Sequence, residues 1–202
     1  MLNSLQGSLK VLSLDLTVFN STAQDLSSFS EHLGSMKQLT TLHLSFDKTS
    51  SSKALQKGLQ DIFSSLRQLD RLTSLSLAVC SSSNDELQSF FTSLKHLRSL
   101  ESLKIRLSKL NGFTFETGNQ FVEVMENLDK LSELDLKIDF EKNLVEEVCL
   151  FLTGIPKIKS LSVFQYDFGR IDVLLPLSKM HEVCKNIKTL KTLIYKYDNV
   201  TF

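Results

Sequence analysis

Residues 100–107 read LESLKIRL: Leu100, Leu103, Ile105 and Leu107 are apolar, and Glu101, Ser102, Lys104 and Arg106 between them are polar. The last three apolar positions alternate with a period of two, the mark of a short strand with one buried face. Working outward, the same phrase begins at Leu9, Leu39, Leu72, Leu100, Leu131, Ile158 and Leu190, in steps of 30, 33, 28, 31, 27 and 32 residues. Of its 28 apolar slots 27 are filled, counting Tyr195 and Tyr197, and Gln165 alone departs. With 42% hydrophobic residues in the chain, chance would fill about 12, so the period is real.

After each strand the pattern changes. Ser21 with Gln24, Ser83 with Glu86, and Thr117 with Gln120 have the spacing of capping boxes that open helices. Apolar residues then follow at helical spacing, as in Leu55, Leu59, Ile62, Phe63 and Leu66, or Leu87, Phe90, Phe91, Leu94 and Leu97. Each unit is thus a strand, a polar turn and a helix leading to the next strand. Such a unit cannot bury its own apolar face, and burial of each strand side chain is worth roughly 1.5–3 kcal/mol. Parallel stacking supplies the missing neighbours, with strands ~4.8 Å apart and helices behind them. Helices are wider than that spacing, so the stack curves with its strands on the inside.

The phrases LKVLSLDL, LTTLHLSF, LTSLSLAV, LESLKIRL and LSELDLKI resemble the leucine-rich repeat family, and the unit length with helical outer side resembles its ribonuclease-inhibitor-like branch. The resemblance implies an α/β leucine-rich repeat solenoid, a curved arc with parallel strands on the concave side and helices on the convex side. It spans about seven repeats of roughly 30 residues and makes residues 1–202 one domain. The family commonly carries Asn or Cys at the ninth position of the phrase. Here that position holds Thr17, Asp47, Cys80, Ser108, Asp139, Tyr166 and Asp198, of which Tyr166 departs most.

The composition agrees with an array: 38 Leu and 28 Ser, with only 7 Gly and 2 Pro, which excludes collagen-like and Pro-rich chains. The 23 basic and 23 acidic groups cancel, so neither a generally basic nucleic-acid binder nor an acidic tail is expected. The longest uninterrupted apolar run, Val148–Leu152, is far below the ~20 residues of a membrane-spanning helix. Residues 1–16 lack the basic segment and apolar block of a secretory signal. Cys80, Cys149 and Cys184 form no CxxC and leave an odd thiol, which favours a reducing, intracellular and cytoplasmic setting.

Little in the chain points to catalysis. His181 and Cys184 stand three apart on an expected helix, but no second pair completes the four ligands zinc needs. There is no GxSxG and no Gly-rich phosphate loop, and Glu146 and Glu147 read as solvated helix charges. No enzyme, cofactor or metal is expected.

Binding is the better expectation, and the concave strand face is where this family commonly docks its ligands. In the phrase as numbered above, its outward positions carry Lys104, Arg106, Lys137 and Lys196, with Phe164 and Ile194 exposed among them. Basic groups around an aromatic anchor suit an acidic protein segment; the alternative is a solvated sheet face. A second candidate is the loop Lys109–Gly118, where Phe113 and Phe115 either pack as core or form a contact patch at the rim. Neither end of the array carries an evident polar cap, so either neighbouring subunits cover one or both ends or the chain is an excerpt of a longer repeat array.

The expected function is therefore a non-catalytic protein-binding or scaffold module, a subunit of a larger assembly. It has protein partners, no nucleic acid and no membrane insertion. The alternative is a regulator of an enzyme, of inhibitor or GTPase-activating type, presenting Arg106 or Arg170. A ubiquitin-ligase substrate receptor would add an adaptor-binding motif that the sequence does not show.

Overall fold

The computed structural model describes residues 7–16, 22–46, 53–80, 83–110, 114–140, 150, 152–167 and 182–195. Strands and helices alternate: β1 (Val11–Asp15), α1 (Ala23–Ser35), β2 (Thr41–Phe46), α2 (Lys53–Leu66), β3 (Ser74–Cys80), α3 (Asn84–Leu94), β4 (Ser102–Leu110), α4 (Phe115–Asn127), β5 (Glu133–Phe140), a 3-10 turn (Ile155–Lys157), β6 (Val163–Asp167) and β7 (Thr192–Tyr195). The seven strands form one sheet in sequence order, every neighbouring pair parallel. Helices α1 to α4 pack each against the next on one side of it. This is the expected leucine-rich repeat solenoid, strands on the concave side and helices on the convex side.

The core lies between the two layers. Leu42 and Leu44, Leu75 and Leu77, Leu103 and Ile105, and Leu134 and Leu136 are buried along the strands. From the helices come Leu33, Ile62, Phe63, Phe90, Phe91, Phe121 and Val124. A row of rings joins three helices: Phe63 to Phe90 at 5.3 Å, Phe90 to Phe91 at 5.6 Å, and Phe91 to Phe121 at 5.6 Å, edge on. Helices α1 and α2 approach so closely that a Cβ on Gly58 would stand 2.7 Å from that of Leu26.

A backbone device sets the register. The carbonyl of the residue just before each strand accepts two successive N–H groups from the next repeat. Thr40 and Thr41 donate to Lys10, Thr73 and Ser74 to Thr40, Glu101 and Ser102 to Thr73. The series continues with Ser132 and Glu133 on Glu101, Ser162 and Val163 on Ser132, and Lys191 and Thr192 on Ser162. The hydroxyls of Thr40, Thr73, Ser132 and Ser162 add a third donor to the same carbonyls at 3.0–3.2 Å. Ser and Thr at this position therefore satisfy backbone acceptors.

The sixth repeat corrects the sequence reading. Leu134 pairs with Phe164 and Leu136 with Tyr166, so the phrase there begins at Leu161, three residues after Ile158. Phe164 is 0% and Tyr166 3% exposed, whereas Val163 and Gln165 are only half-buried. Ile158 is instead the sixth-repeat counterpart of Met36, Leu69, Leu97 and Leu128. Each of these carbonyls accepts the N–H three residues on, from Leu161, Leu39, Leu72, Leu100 and Leu131 respectively. The two readings compete because this buried turn residue also lies three before an apolar one. With Leu161 as the start, the steps around it become 30 and 29, and the exception at Gln165 disappears.

Helix starts also differ in detail. At α1 the cap is Thr22 with Asp25, one residue later than Ser21 with Gln24. At α4 it is Thr114, whose hydroxyl accepts from Thr117 N–H, three residues before the expected Thr117. Buried Thr117 instead donates its hydroxyl to Asn84 of α3, which Thr114 also reaches, so one amide ties two helix starts together. The expected capping box at α3 is present: Glu86 accepts from Ser83 N–H at 2.6 Å, and Ser83 from Glu86 N–H at 3.4 Å.

Glu86 is buried, and desolvation pushes its carboxyl above the ordinary range, partly offset by its bonds to Ser83. A raised folded-state value means that the charged form costs stability at neutral pH. That cost is fully present above the raised value and vanishes below the ordinary 4.5. Glu86→Gln keeps the acceptor without the charge. It is expected to be at least as stable as the native chain at pH 7, with the difference closing near pH 4 in urea titrations. A clear loss at pH 7 would show that the cap needs its charge.

Candidate protein-binding surface

The strand register places the outward side chains in columns. One reads Ser13, His43, Ser76, Lys104, Asp135, Gln165 and Ile194, and the next Asp15, Ser45, Ala78, Arg106, Lys137 and Asp167. Strands β2 and β3 thus offer His43 among small residues, and the charges gather on β4 to β6.

Much of the expected basic cluster is neutralised within the sheet. Lys104 meets Asp135, directly opposite on β5, at 2.9 Å, and Lys137 meets Asp167, directly opposite on β6, at 2.7 Å. Asp135 and Asp167 are missing from the sequence-based set. Their signal is the repeat itself, since each acid follows its lysine by one unit and so faces it across the ladder. The half-exposed Lys104–Asp135 pair is worth about 0–1 kcal/mol, whereas in the Lys137–Asp167 pair the carboxylate is buried; both pairs lower the positive potential of the face.

Arg106 differs. It is exposed, and directly opposite it stand Ala78 on β3 and Lys137 on β5. Lys137 is a like charge and leans away to Asp167. Among the described residues Arg106 has no acidic partner. It projects beside the smallest side chain of its column, so a partner's carboxylate can approach it without displacing bulk.

The other candidates separate clearly. Phe164, expected as the exposed anchor, lies in the core stacked on Tyr166 at 5.6 Å and 24°, because the sixth repeat is shifted by three. Ile194 is outward and 39% exposed. Phe115 is 64% exposed at the first turn of α4, at the rim and outside the core. The stretch Lys109–Gly118 is not an extended loop: β4 runs to Leu110 and α4 starts at Phe115. Lys196, Phe113, Arg170, Glu146, Glu147, Cys149 and His181 lie outside the described residues. Cys184 is half-buried, and burial pushes its thiol up. Among the described residues no group of three His, Cys, Asp or Glu could hold a metal, and no helix is long and apolar enough to cross a membrane.

The two ends of the sheet are unlike. In β1 the core residue Leu12 is 9% exposed, although outward Val11 is 60% exposed. In β7 the core position holds Leu193, which is 41% exposed, against 1% for Leu134 and 0% for Phe164 in the same row.

No protein-family model matches this sequence, and no curated protein matches it. Solved structures do match. The second actin-binding site of leiomodin-1 aligns over 77% of this chain and 86% of its own, with a TM-score of 0.55 at 13% identity. An internalin (inlF) from Listeria monocytogenes aligns over 100% of this chain and 85% of its own at 13% identity, but its TM-score of 0.30 is too low to inform the fold. At such identity the likeness to leiomodin-1 concerns the fold alone. The parallel sheet, the helical outer layer and this likeness define a leucine-rich-repeat solenoid.

Proposed function

We propose that the chain, as one domain over residues 1–202, is a non-catalytic protein-binding module and a scaffold subunit of an intracellular assembly. The observation that carries this reading is Arg106: a cation on the open strand face, with no acidic partner among the described residues and Lys137 directly opposite. An acidic group from a protein partner would relieve that arrangement. The actin-binding leiomodin-1 structure supports a binding role for this fold without naming this chain's partner.

Arg106→Glu tests the reading. The side chain is exposed, so thermal stability should change by no more than about 0.5 kcal/mol. Affinity capture from the source cells with native and variant chains side by side should retain a stoichiometric partner on the native chain. Recovery on the variant should fall at least about tenfold, the equivalent of 1.4 kcal/mol. Equal recovery would remove Arg106 and the face around it from the proposal. The enzyme-regulator reading, in the manner of the ribonuclease-inhibitor-like branch, would gain if the captured protein were an enzyme whose rate the native chain alters and the variant does not.

A further inference from the structure

We infer that the ligand of the strand face is a phosphorylated side chain of a partner protein, held over Ala78 by Arg106 and the hydroxyls beside it. This rests on the reading of Arg106 as the binding cation, and it names the chemistry that cation meets.

The register sets outward side chains of three adjacent strands in a block. On β2 stand His43 and Ser45, on β3 Ser76 and Ala78, and on β4 Lys104 and Arg106, each directly opposite its neighbour on the next strand. Ala78 is the smallest of them, so it leaves a shallow depression in the middle of its row. Ser45 borders it on one side and Arg106 on the other, each about 4.8 Å away across the ladder, with Ser76 about 6.6 Å back along β3. Ser45, Ser76 and His43 are half-buried, and among the described residues their side chains have no hydrogen-bond partner. The hydroxyls of Thr40, Thr73, Ser132 and Ser162 differ, because they donate to backbone carbonyls. Two unengaged hydroxyls, an imidazole and a guanidinium thus surround one gap.

This donor set fits a phosphoryl group better than a carboxylate. A carboxylate has two oxygens in one plane, and the fork of an arginine satisfies both. A phosphate monoester carries three strong acceptor oxygens and a charge approaching −2, so acceptors remain for the serine hydroxyls. The surrounding charges limit the ligand to a single such group. On one flank Lys104 is paired with Asp135, and on the other Asp15 stands directly opposite Ser45. A string of phosphates, as in a nucleic acid, would meet a carboxylate in either direction across the strands. One phosphoserine or phosphothreonine on an otherwise neutral segment would not.

The probe is a short blocked peptide with one phosphoserine among alanines, titrated into the full chain labelled with nitrogen-15. Amide shifts should saturate and be confined to β2–β4. The same peptide with glutamate in place of phosphoserine should bind about tenfold more weakly. Ser45→Ala with Ser76→Ala should weaken the phosphoserine peptide by about tenfold and leave the glutamate peptide within about twofold. Ala78→Leu, which fills the depression without changing charge, should abolish binding while the helix amides keep their native shifts. Equal affinity for the two peptides, or no loss in the serine variant, would overturn the phosphate assignment, and binding that still required Arg106 would leave the module reading standing. Phosphoserine binding that survived Arg106→Glu would overturn the inference and take Arg106 out of the module reading as well. Tighter binding of inorganic phosphate or of a thymidine oligonucleotide would overturn it by giving the site to another phosphate carrier. No saturable shift would overturn the inference alone, since partner capture with native and Arg106→Glu chains tests the module separately.

Discussion

Phe90→Ala is expected to lower stability by about 3–5 kcal/mol, the cost of emptying a fully buried aromatic site. The side chain is 0% exposed and stands in the middle of the ring row that joins α2, α3 and α4. Its loss leaves Phe63 and Phe91 facing a cavity that close neighbours fill only in part. For a chain of this size each kcal/mol moves the melting temperature by roughly 2–4 °C, so a fall of about 6–20 °C should be seen by circular dichroism. Phe90→Leu keeps most of the volume and should recover more than half of the loss. A fall below about 1 kcal/mol in Phe90→Ala would mean that the row is not packed as described.

The second large effect separates the two registers of the sixth repeat. Phe164→Ala should cost about 3–5 kcal/mol, because the ring is fully buried beneath β6 and stacked on Tyr166. Gln165→Ala, on the outward face one residue away, should stay within about 0.5 kcal/mol. A phrase beginning at Ile158 demands the reverse order, with Phe164 a neutral surface residue. Urea unfolding of the two variants beside the native chain therefore decides the register. A neutral Phe164→Ala would return Phe164 to the binding face.

The architecture is legible in the sequence because strand and helix leave different periods, and both recur. LESLKIRL and its counterparts supply the strand, and runs such as Leu87, Phe90, Phe91 and Leu94 supply the helix. Register in the sixth repeat is not legible, because Ile158, Leu161 and Val163 imitate the phrase while Phe164, Tyr166 and Phe168 satisfy it three residues later. Only the pairing of Leu134 with Phe164 separates the two. The same shift explains the misplaced aromatic anchor.

The charges of the site are legible as residue types but not as free or engaged groups. Lys104 and Lys137 look available along the chain, and become ion pairs once Asp135 and Asp167 are set opposite them. Arg106 carries no mark in the sequence that distinguishes it from them. Its isolation comes from Ala78 on one side and Lys137 on the other. The hydroxyls of Thr40, Thr73, Ser132 and Ser162 likewise look like generic polar surface until their shared carbonyl acceptors are seen.

The paired N–H donors before each strand have a consequence for how such a chain can change. They join one repeat to the next through main-chain groups, to which the hydroxyls of Thr40, Thr73, Ser132 and Ser162 only add. Strand register is thus inherited through the main chain, while the intervals between phrase starts vary from 28 to 33 residues, the slack being taken up on the helical arc. Whole repeats can be duplicated or removed as interchangeable modules, and arc segments can lengthen, without any strand losing step. A single residue inserted within a strand would turn its side chains inside out. The outward columns can therefore be rewritten with little effect on register, so the chemistry of that face and the stability of the fold can evolve almost independently in this chain.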